Sequence, residues 1–321
     1  MIVVTGAAGF IGSNLVRGLN RAGERDILAV DEPGDGRKIE NLADCEIADC
    51  WGKGQLLKRL QNGIGFVPRR IYHQGACAVT TEWDSRYMME NNYRYSTEIF
   101  EYCRMAGVPL IYASSAAVYG AGDCFEEDAG RERPLNVYGY SKLKFDRYVR
   151  RRLGETGSQV VGLRYFNVYG PRESHKGPMA SVAWQLHRQV QEDGEARLFK
   201  GCNGYADGEQ LRDFVYVEDV VDVNLWFGRH PGVSGIFNVG TGRAATFNDL
   251  ADAVIGWHGA GRKRYISFPE HLERAYQSYT RADITKLRRA GYDRPFASVA
   301  TGVKAYLDSL EGSASNSGER G

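Results

Sequence analysis

Val3-Val4-Thr5-Gly6-Ala7-Ala8-Gly9-Phe10-Ile11-Gly12-Ser13 is the stretch that decides the fold of this chain. An apolar run meets three glycines, and a segment of helical period follows over residues 11–21. Glycine permits the tight turn, lets backbone N–H groups close on a pyrophosphate, and allows a helix to pack hard against a strand. The helix that starts there offers the positive end of its dipole to the anion. The glycine spacing departs from the commoner Gly-x-Gly-x-x-Gly pattern, so position carries the weight. The turn follows the first strand of the chain, and Asp31 closes the second at the interval where an acidic residue takes adenosine ribose hydroxyls. Gly6, Gly9, Gly12 and Asp31 are therefore candidate dinucleotide ligands. Asp31 suggests NAD, whereas Arg37, Lys38 and Lys53 suggest the 2′-phosphate of NADP, and the residues alone leave the two open.

Outward from this turn, short apolar runs alternate with segments of helical period, the signature of βαβ units. Strands are predicted at 2–5, 27–30, 70–73, 110–113, 160–164 and 236–239, and helices at 11–21, 88–105 and 142–152. The fold class is α/β, a doubly wound parallel (Rossmann) sheet with a smaller, mostly helical substrate lobe. The sheet domain takes residues 1–170 with 212–243, and the lobe takes 171–211 with 244–311. Phe214-Val215-Tyr216-Val217 and the helical segment 218–227 are expected to return to the main sheet. The small, polar residues 312–321 are expected to form a disordered tail.

Bulk properties narrow the function. Lys+Arg 41 against Asp+Glu 40 leaves no basic excess for nucleic acid or a membrane surface. The six cysteines are scattered, which points to reduced thiols and no metal site. Met1 runs straight into the first strand without a targeting segment, so a cytoplasmic enzyme is expected.

Residues 136–144, Asn-Val-Tyr-Gly-Tyr-Ser-Lys-Leu-Lys, contain two overlapping Tyr-xxx-Lys frames, Tyr138/Lys142 and Tyr140/Lys144. Tyr and Lys four apart share a helix face. A nearby ammonium lowers the phenol pKa, so that tyrosinate can accept a proton from a carbinol. Only one frame faces inward. Tyr138 and Lys142 continue into Phe145 and Val149, an apolar stripe, whereas Tyr140 and Lys144 continue into Arg147 and Arg151. The first frame is the candidate site. Ser114-Ser115-Ala116-Ala117 follows the strand at 110–113, at the carboxyl end where open α/β sheets bind ligands. Ser115 is then a hydrogen-bond donor to the reacting oxygen.

With these motifs in place, the chain resembles the extended short-chain dehydrogenase/reductase family. The segments 164–172 (RYFNVYGPR) and 212–219 (RDFVYVED) fit that family's nucleotide-sugar branch. Within the branch, Gly75-Ala76-Cys77, Thr80-Thr81-Glu82-Trp83-Asp84 and residues 171–177 (PRESHKG) resemble the ADP-L-glycero-D-manno-heptose 6-epimerases. That resemblance implies an NADP-preferring isomerase of nucleotide-sugar metabolism, a homopentamer, acting on ADP-heptose for lipopolysaccharide inner-core synthesis. The expected reaction inverts C6 of the heptose through a 6-keto intermediate. The resemblance casts Tyr138 and Lys176 as two acid/base groups, with Lys142 and Ser115 supporting Tyr138. It maps Phe10, Ile11, Asp31, Glu32, Lys38 and Lys53 onto cofactor positions. Gln74, Gly75, Ala76, Cys77, Ala78, Asn91, Lys142, Val168 and Lys176 join that set. It maps Asn167, Gln185, Phe199, Lys200, Gly201, Cys202, Arg212 and Tyr276 onto substrate positions, with Ser115 beside them. Arg212 also stands on its own, because a guanidinium suits a diphosphate.

Two other readings fit less of the sequence. One is another nucleotide-sugar enzyme of the same branch, such as a UDP-hexose 4-epimerase or a dehydratase; a dehydratase would want an acidic pair after Ser115, where Ala116 and Ala117 stand. A non-catalytic NAD(P) sensor would have no use for Tyr138 and Lys142 in the inward frame.

Overall fold

The structure, a computed structural model, describes residues 1–32, 34, 36–269 and 277–318, the last six by backbone alone. The chain runs β1 Ile2–Thr5, α1 Phe10–Arg21, β2 Ile27–Val30, β3 Asp49–Trp51, α2 Lys53–Asn62, β4 Arg70–His73, α3 Ser85–Met88, α4 Tyr95–Ala106, β5 Leu110–Ser115, α5 Val137–Arg152 and β6 Val160–Tyr165. It continues through β7 Asn167–Tyr169, α6 Val182–Asp193, β8 Glu195–Phe199, β9 Leu211–Arg212, β10 Phe214–Tyr216, α7 Val217–Arg229 and β11 Gly235–Val239. The remaining elements are β12 Ala245–Thr246, α8 Phe247–His258, β13 Arg262–Ile266, α9 Thr285–Arg289 and α10 Val299–Gly318.

Seven strands form one sheet in the order β11-β6-β5-β4-β1-β2-β3, and every pair in it is parallel. Strands β1, β2 and β6 are buried at every position, which is why β1 and β2 read as near-continuous apolar runs rather than alternating ones, whereas β6 also buries Arg164. Leu15, Val16 and Leu19 of α1 cover one face together with Val220, Val221 and Phe227 of α7. Leu56 of α2, Ile99 and Phe100 of α4, and Phe145 and Val149 of α5 cover the other. Each such side chain contributes about 1.5–3 kcal/mol by leaving water. The chain moves outward from β1 to β3, then restarts at β4 on the other side. Such a reversal opens a crevice at the carboxyl ends of β1 and β4. A second core joins Ala183, Leu186 and Val190 of α6 to Leu250 and Val254 of α8 and Val303, Tyr306 and Leu307 of α10. Among the described residues no helix is long and apolar enough to cross a membrane.

Three expectations change. Phe214–Tyr216 does not rejoin the main sheet; it pairs with β7 in a two-stranded parallel ladder. The place beside β6 is taken by β11, which leaves no edge there. Helix α7 does return, and a Cβ on Gly18 of α1 would lie 2.4 Å from Val221 Cγ1, so the two helices need that glycine. Helix α5 begins at Val137, capped by Asn136 accepting from Gly139 N, so Tyr138 lies in its first turn. Helix α10 continues to Gly318, into the stretch expected to be disordered. Residues 319–321 of that stretch lie outside the described residues.

Candidate active site

The glycine turn sits where its chemistry requires. Gly6 has φ +65°, and a Cβ there would lie 2.6 Å from the Gly75 backbone. A Cβ on Gly12 would lie 1.9 Å from Gly6 O, so the start of α1 packs directly on the turn. Asp31 closes β2 and faces back onto this turn. Its carboxylate accepts from Ala8 N at 2.9 Å and Glu32 N at 2.7 Å, with Lys38 Nζ at 3.4 Å. A cleft of about 470 Å³ opens over these groups. Gly6, Gly9, Phe10, Ile11, Gly12, Asp31, Glu32, Lys38 and Lys53 line it, as do Gln74, Gly75, Ala76, Cys77, Ala78, Asn91 and Lys176. Bare backbone at a helix N-terminus, a carboxylate at the second strand end and two lysines fit a dinucleotide.

An adjoining cleft of about 480 Å³ shares Phe10, Ile11, Gln74 and Lys176 with the first. Ser115, Tyr138, Lys142, Asn167, Val168, Lys176 and Arg212 all line it. Lys142 is only 5% exposed and donates to Ala113 O at 2.9 Å. Burial pulls its ammonium down to about 8, against the raising effect of Asp146. Burial also raises the Tyr138 phenol above its ordinary value, while a hydrogen bond with Ser115 works the other way. Tyr140, by contrast, is 45% exposed, and Lys144 Nζ lies over its ring at 5.9 Å. The apolar stripe selects the frame that reaches the cleft.

Lys176 sits in the short 3-10 segment Ser174–Met179, with Nζ 5.1 Å from the Phe10 ring centroid. Burial lowers its ammonium, opposed by Glu173. Glu173 is itself fully buried and accepts from Ser181 N and Oγ, each at 2.6 Å. Asn41 Nδ2 joins Ala8 O to Arg172 O and lies 3.1 Å from His175 Nδ1, docking this segment on the glycine turn. Arg212 is buried, donates to Leu211 O at 2.9 Å, and lies 5.5 Å from the Phe247 ring.

Residues 2–240 match the NAD dependent epimerase/dehydratase family. The chain belongs to that family. It is 57% identical over 311 residues, 97% of each chain, to an ADP-L-glycero-D-manno-heptose-6-epimerase of Alkalilimnicola ehrlichii. Among solved structures, the Helicobacter pylori ADP-L-glycero-D-manno-heptose-6-epimerase superposes with a TM-score of 0.84 at 31% identity, covering 97% of this chain and 96% of that one. The Thermus thermophilus UDP-glucose 4-epimerase, in complex with NAD, superposes at 0.79 with 27% identity, covering 97% and 99%. A nucleotide-sugar epimerase with a nicotinamide cofactor is thus the general character of this epimerase/dehydratase chain.

Not every expected site residue reaches the clefts. Lys142 and Val168 line the second cleft rather than the first. Gln185 lines neither and instead donates to Gly177 O at 2.9 Å, bracing the Lys176 segment. Phe199, Lys200, Gly201 and Cys202 line neither; Lys200 N donates to Ile266 O and Gly201 N to Asp207 Oδ1. Tyr276 lies outside the described residues. The sequence reading missed Asn92, which sits in a π-helical turn, Met89–Arg94, between α3 and α4. Its side chain accepts from Cys77 N and donates to Cys77 O and Ser141 Oγ. The doubled asparagine, Asn91-Asn92 inside a helical pattern, was the available signal, because asparagine is a poor interior helix former.

Proposed function

We propose that the chain inverts C6 of the heptose in ADP-D-glycero-D-manno-heptose, giving ADP-L-glycero-D-manno-heptose for lipopolysaccharide inner-core synthesis. It works in the cytoplasm as a homo-oligomer, a pentamer by its sequence resemblance. The observation that carries this reading is that Tyr138 and Lys176, from separate elements, line one cleft beside the glycine turn. The extensive identity with the Alkalilimnicola ehrlichii protein of that name supports it.

The C6 hydrogen of the heptose has no neighbouring carbonyl, so it does not leave as an acidic proton. The nicotinamide, when bound, supplies the acceptor and donor of a hydride. The residues of this chain handle the proton of the C6 oxygen. Tyr138, hydrogen-bonded with Ser115 and one turn from Lys142, takes it in one orientation of the sugar. A single fixed group does not serve both orientations of that oxygen, and Lys176 is assigned to the other. Arg212 is assigned to the diphosphate. Turnover in heavy water is expected to leave C6 free of solvent deuterium, read by NMR of the product. Deuterium at C6 overturns transient oxidation to the 6-keto sugar; a Lys176→Met variant that epimerises normally overturns the two-group assignment alone.

The cofactor is assigned as NADP, with NAD the weaker choice. Both oxygens of the Asp31 carboxylate are already engaged by Ala8, Glu32 and Lys38, which turns it inward. Lys38 and Lys53 line the same cleft, a cationic setting suited to a 2′-phosphate that outweighs the nearby Glu32. Denaturing the purified protein and identifying the released nucleotide is expected to yield NADP(H). An extract holding only NAD(H) reverses the assignment.

A further inference from the structure

His73 ends β4 with a 2%-exposed side chain, and no step above uses it. Its ring lies between two hydroxyls, with Thr5 Oγ1 2.6 Å from Nδ1 and Ser96 Oγ 2.8 Å from Nε2. Hydrogen counting fixes the direction of every bond in this chain. Ser96 Oγ is 2.5 Å from Asn92 O, which only accepts, so the Ser96 hydrogen goes there. Ser96 then accepts from His73, which places the imidazole hydrogen on Nε2. Nδ1 is left bare and accepts from the Thr5 hydroxyl, whose oxygen in turn accepts from Gly75 N at 3.2 Å. The reverse direction strands the Thr5 hydrogen and leaves Asn92 O without its serine donor, a cost that burial magnifies. Burial, together with the nearby charge of Lys142, holds the imidazole down to about 3, so it stays neutral.

The two ends of this chain matter more than its middle. At one end, Thr5 and Gly75 hold the turn at Gly6, where a Cβ would strike the Gly75 backbone. At the other end, Asn92 carries the side chain that clamps Cys77 and reaches Ser141 Oγ, and Ser141 donates to Tyr138 O at 2.7 Å.

We propose that His73, as its Nε2–H tautomer, is a positioning residue that locks the glycine turn of the dinucleotide cleft to the π-helical turn bearing Asn92. Through Asn92 it also sets the loop at 75–78 and the first turn of the Tyr138 helix. The functional half of this proposal rests on the first cleft being the dinucleotide site; the tautomer does not.

NMR of the full-length protein with ring nitrogen-15 histidine tests the tautomer. His73 is expected as neutral Nε2–H at neutral pH and still at about pH 5, where an ordinary histidine is charged. An Nδ1–H tautomer, or protonation in that range, overturns the proposal. Titrating NADP into cofactor-depleted protein tests the coupling. Thr5→Val and His73→Leu are each expected to weaken binding about tenfold, and the double variant to be no weaker than either single one. Thr5→Ser, which keeps the hydroxyl, is expected to bind like the parent. Losses that add, or a lowered Tm with unchanged affinity, overturn the positioning role. If the parent chain takes up neither NADP nor NAD, the reading of the cleft fails, and the positioning role with it.

Discussion

Tyr138→Phe is expected to lower the epimerisation rate by about 10²- to 10⁴-fold, the usual worth of a positioned acid/base group, while Tyr140→Phe leaves it near the parent value. The two tyrosines are two residues apart in one helix, yet only Tyr138 lines the cleft. Removing its hydroxyl takes away the proton acceptor and the partner of Ser115 while leaving the ring to fill its place. The loss is therefore expected in kcat and kcat/KM together, as for an interaction made in the transition state. Bound cofactor and circular dichroism are expected to be unchanged. The same assay carries a pH signature. Lys142 is held down to about 8, so its ammonium is lost as pH rises through that value, and the rate of the parent enzyme is expected to fall there. A crippled Tyr140→Phe with an active Tyr138→Phe overturns the choice of frame.

The choice of frame was legible because it rests on local periodicity. Phe145 and Val149 continue one stripe into the core, and Arg147 and Arg151 continue the other into solvent. The glycine turn and Asp31 were legible for the same reason, since strand, turn and helix are contiguous. What the sequence does not carry is the choice between partners distant along the chain. Strand β10 looks like any buried strand, and only the presence of β11 beside β6 sends it to β7 instead. Lys176 is a lysine in a polar segment until Phe10 and Glu173 are seen around it, so its assignment needed a family resemblance. Asn92 acts through a π-helical turn, and the doubled asparagine marks a weak helical position without showing the register shift that carries it onto Cys77. Edge strand β3 was missed because Asp49-Cys50-Trp51 buries too little to show a pattern.

Asp146→Ala is expected to cost about 3–5 kcal/mol of stability, because it takes one of two carboxylates from a fully buried guanidinium. Arg164 of β6 is fully buried and donates through Nε to Asp146 Oδ2 at 2.9 Å. Its other nitrogens reach Tyr119 OH at 3.0 Å and Glu132, which Arg150 also holds. Asp146 further accepts from Tyr112 OH and Ser114 Oγ, each at 3.0 Å. The alanine therefore leaves a guanidinium and two hydroxyls short of an acceptor, which no water at the surface replaces. Replacing both partners, Asp146→Leu with Arg164→Met, is expected to cost less than Asp146→Ala alone, since it removes two of the desolvated charges and leaves Glu132 paired with Arg150. For contrast, Glu192→Ala breaks the exposed pair Arg188–Glu192 and is expected to change stability by less than about 0.5 kcal/mol. Urea unfolding read by tryptophan fluorescence orders the three. An Asp146→Ala midpoint equal to the parent's overturns the argument. The consequence reaches the site, because Asp146 lies one helical turn beyond Lys142, and Ser114, which it holds, lines the cleft between Ala113 and Ser115. The network thus fixes the end of β5 against α5, so the same alanine should loosen the geometry that presents Tyr138 and Lys142 to a sugar.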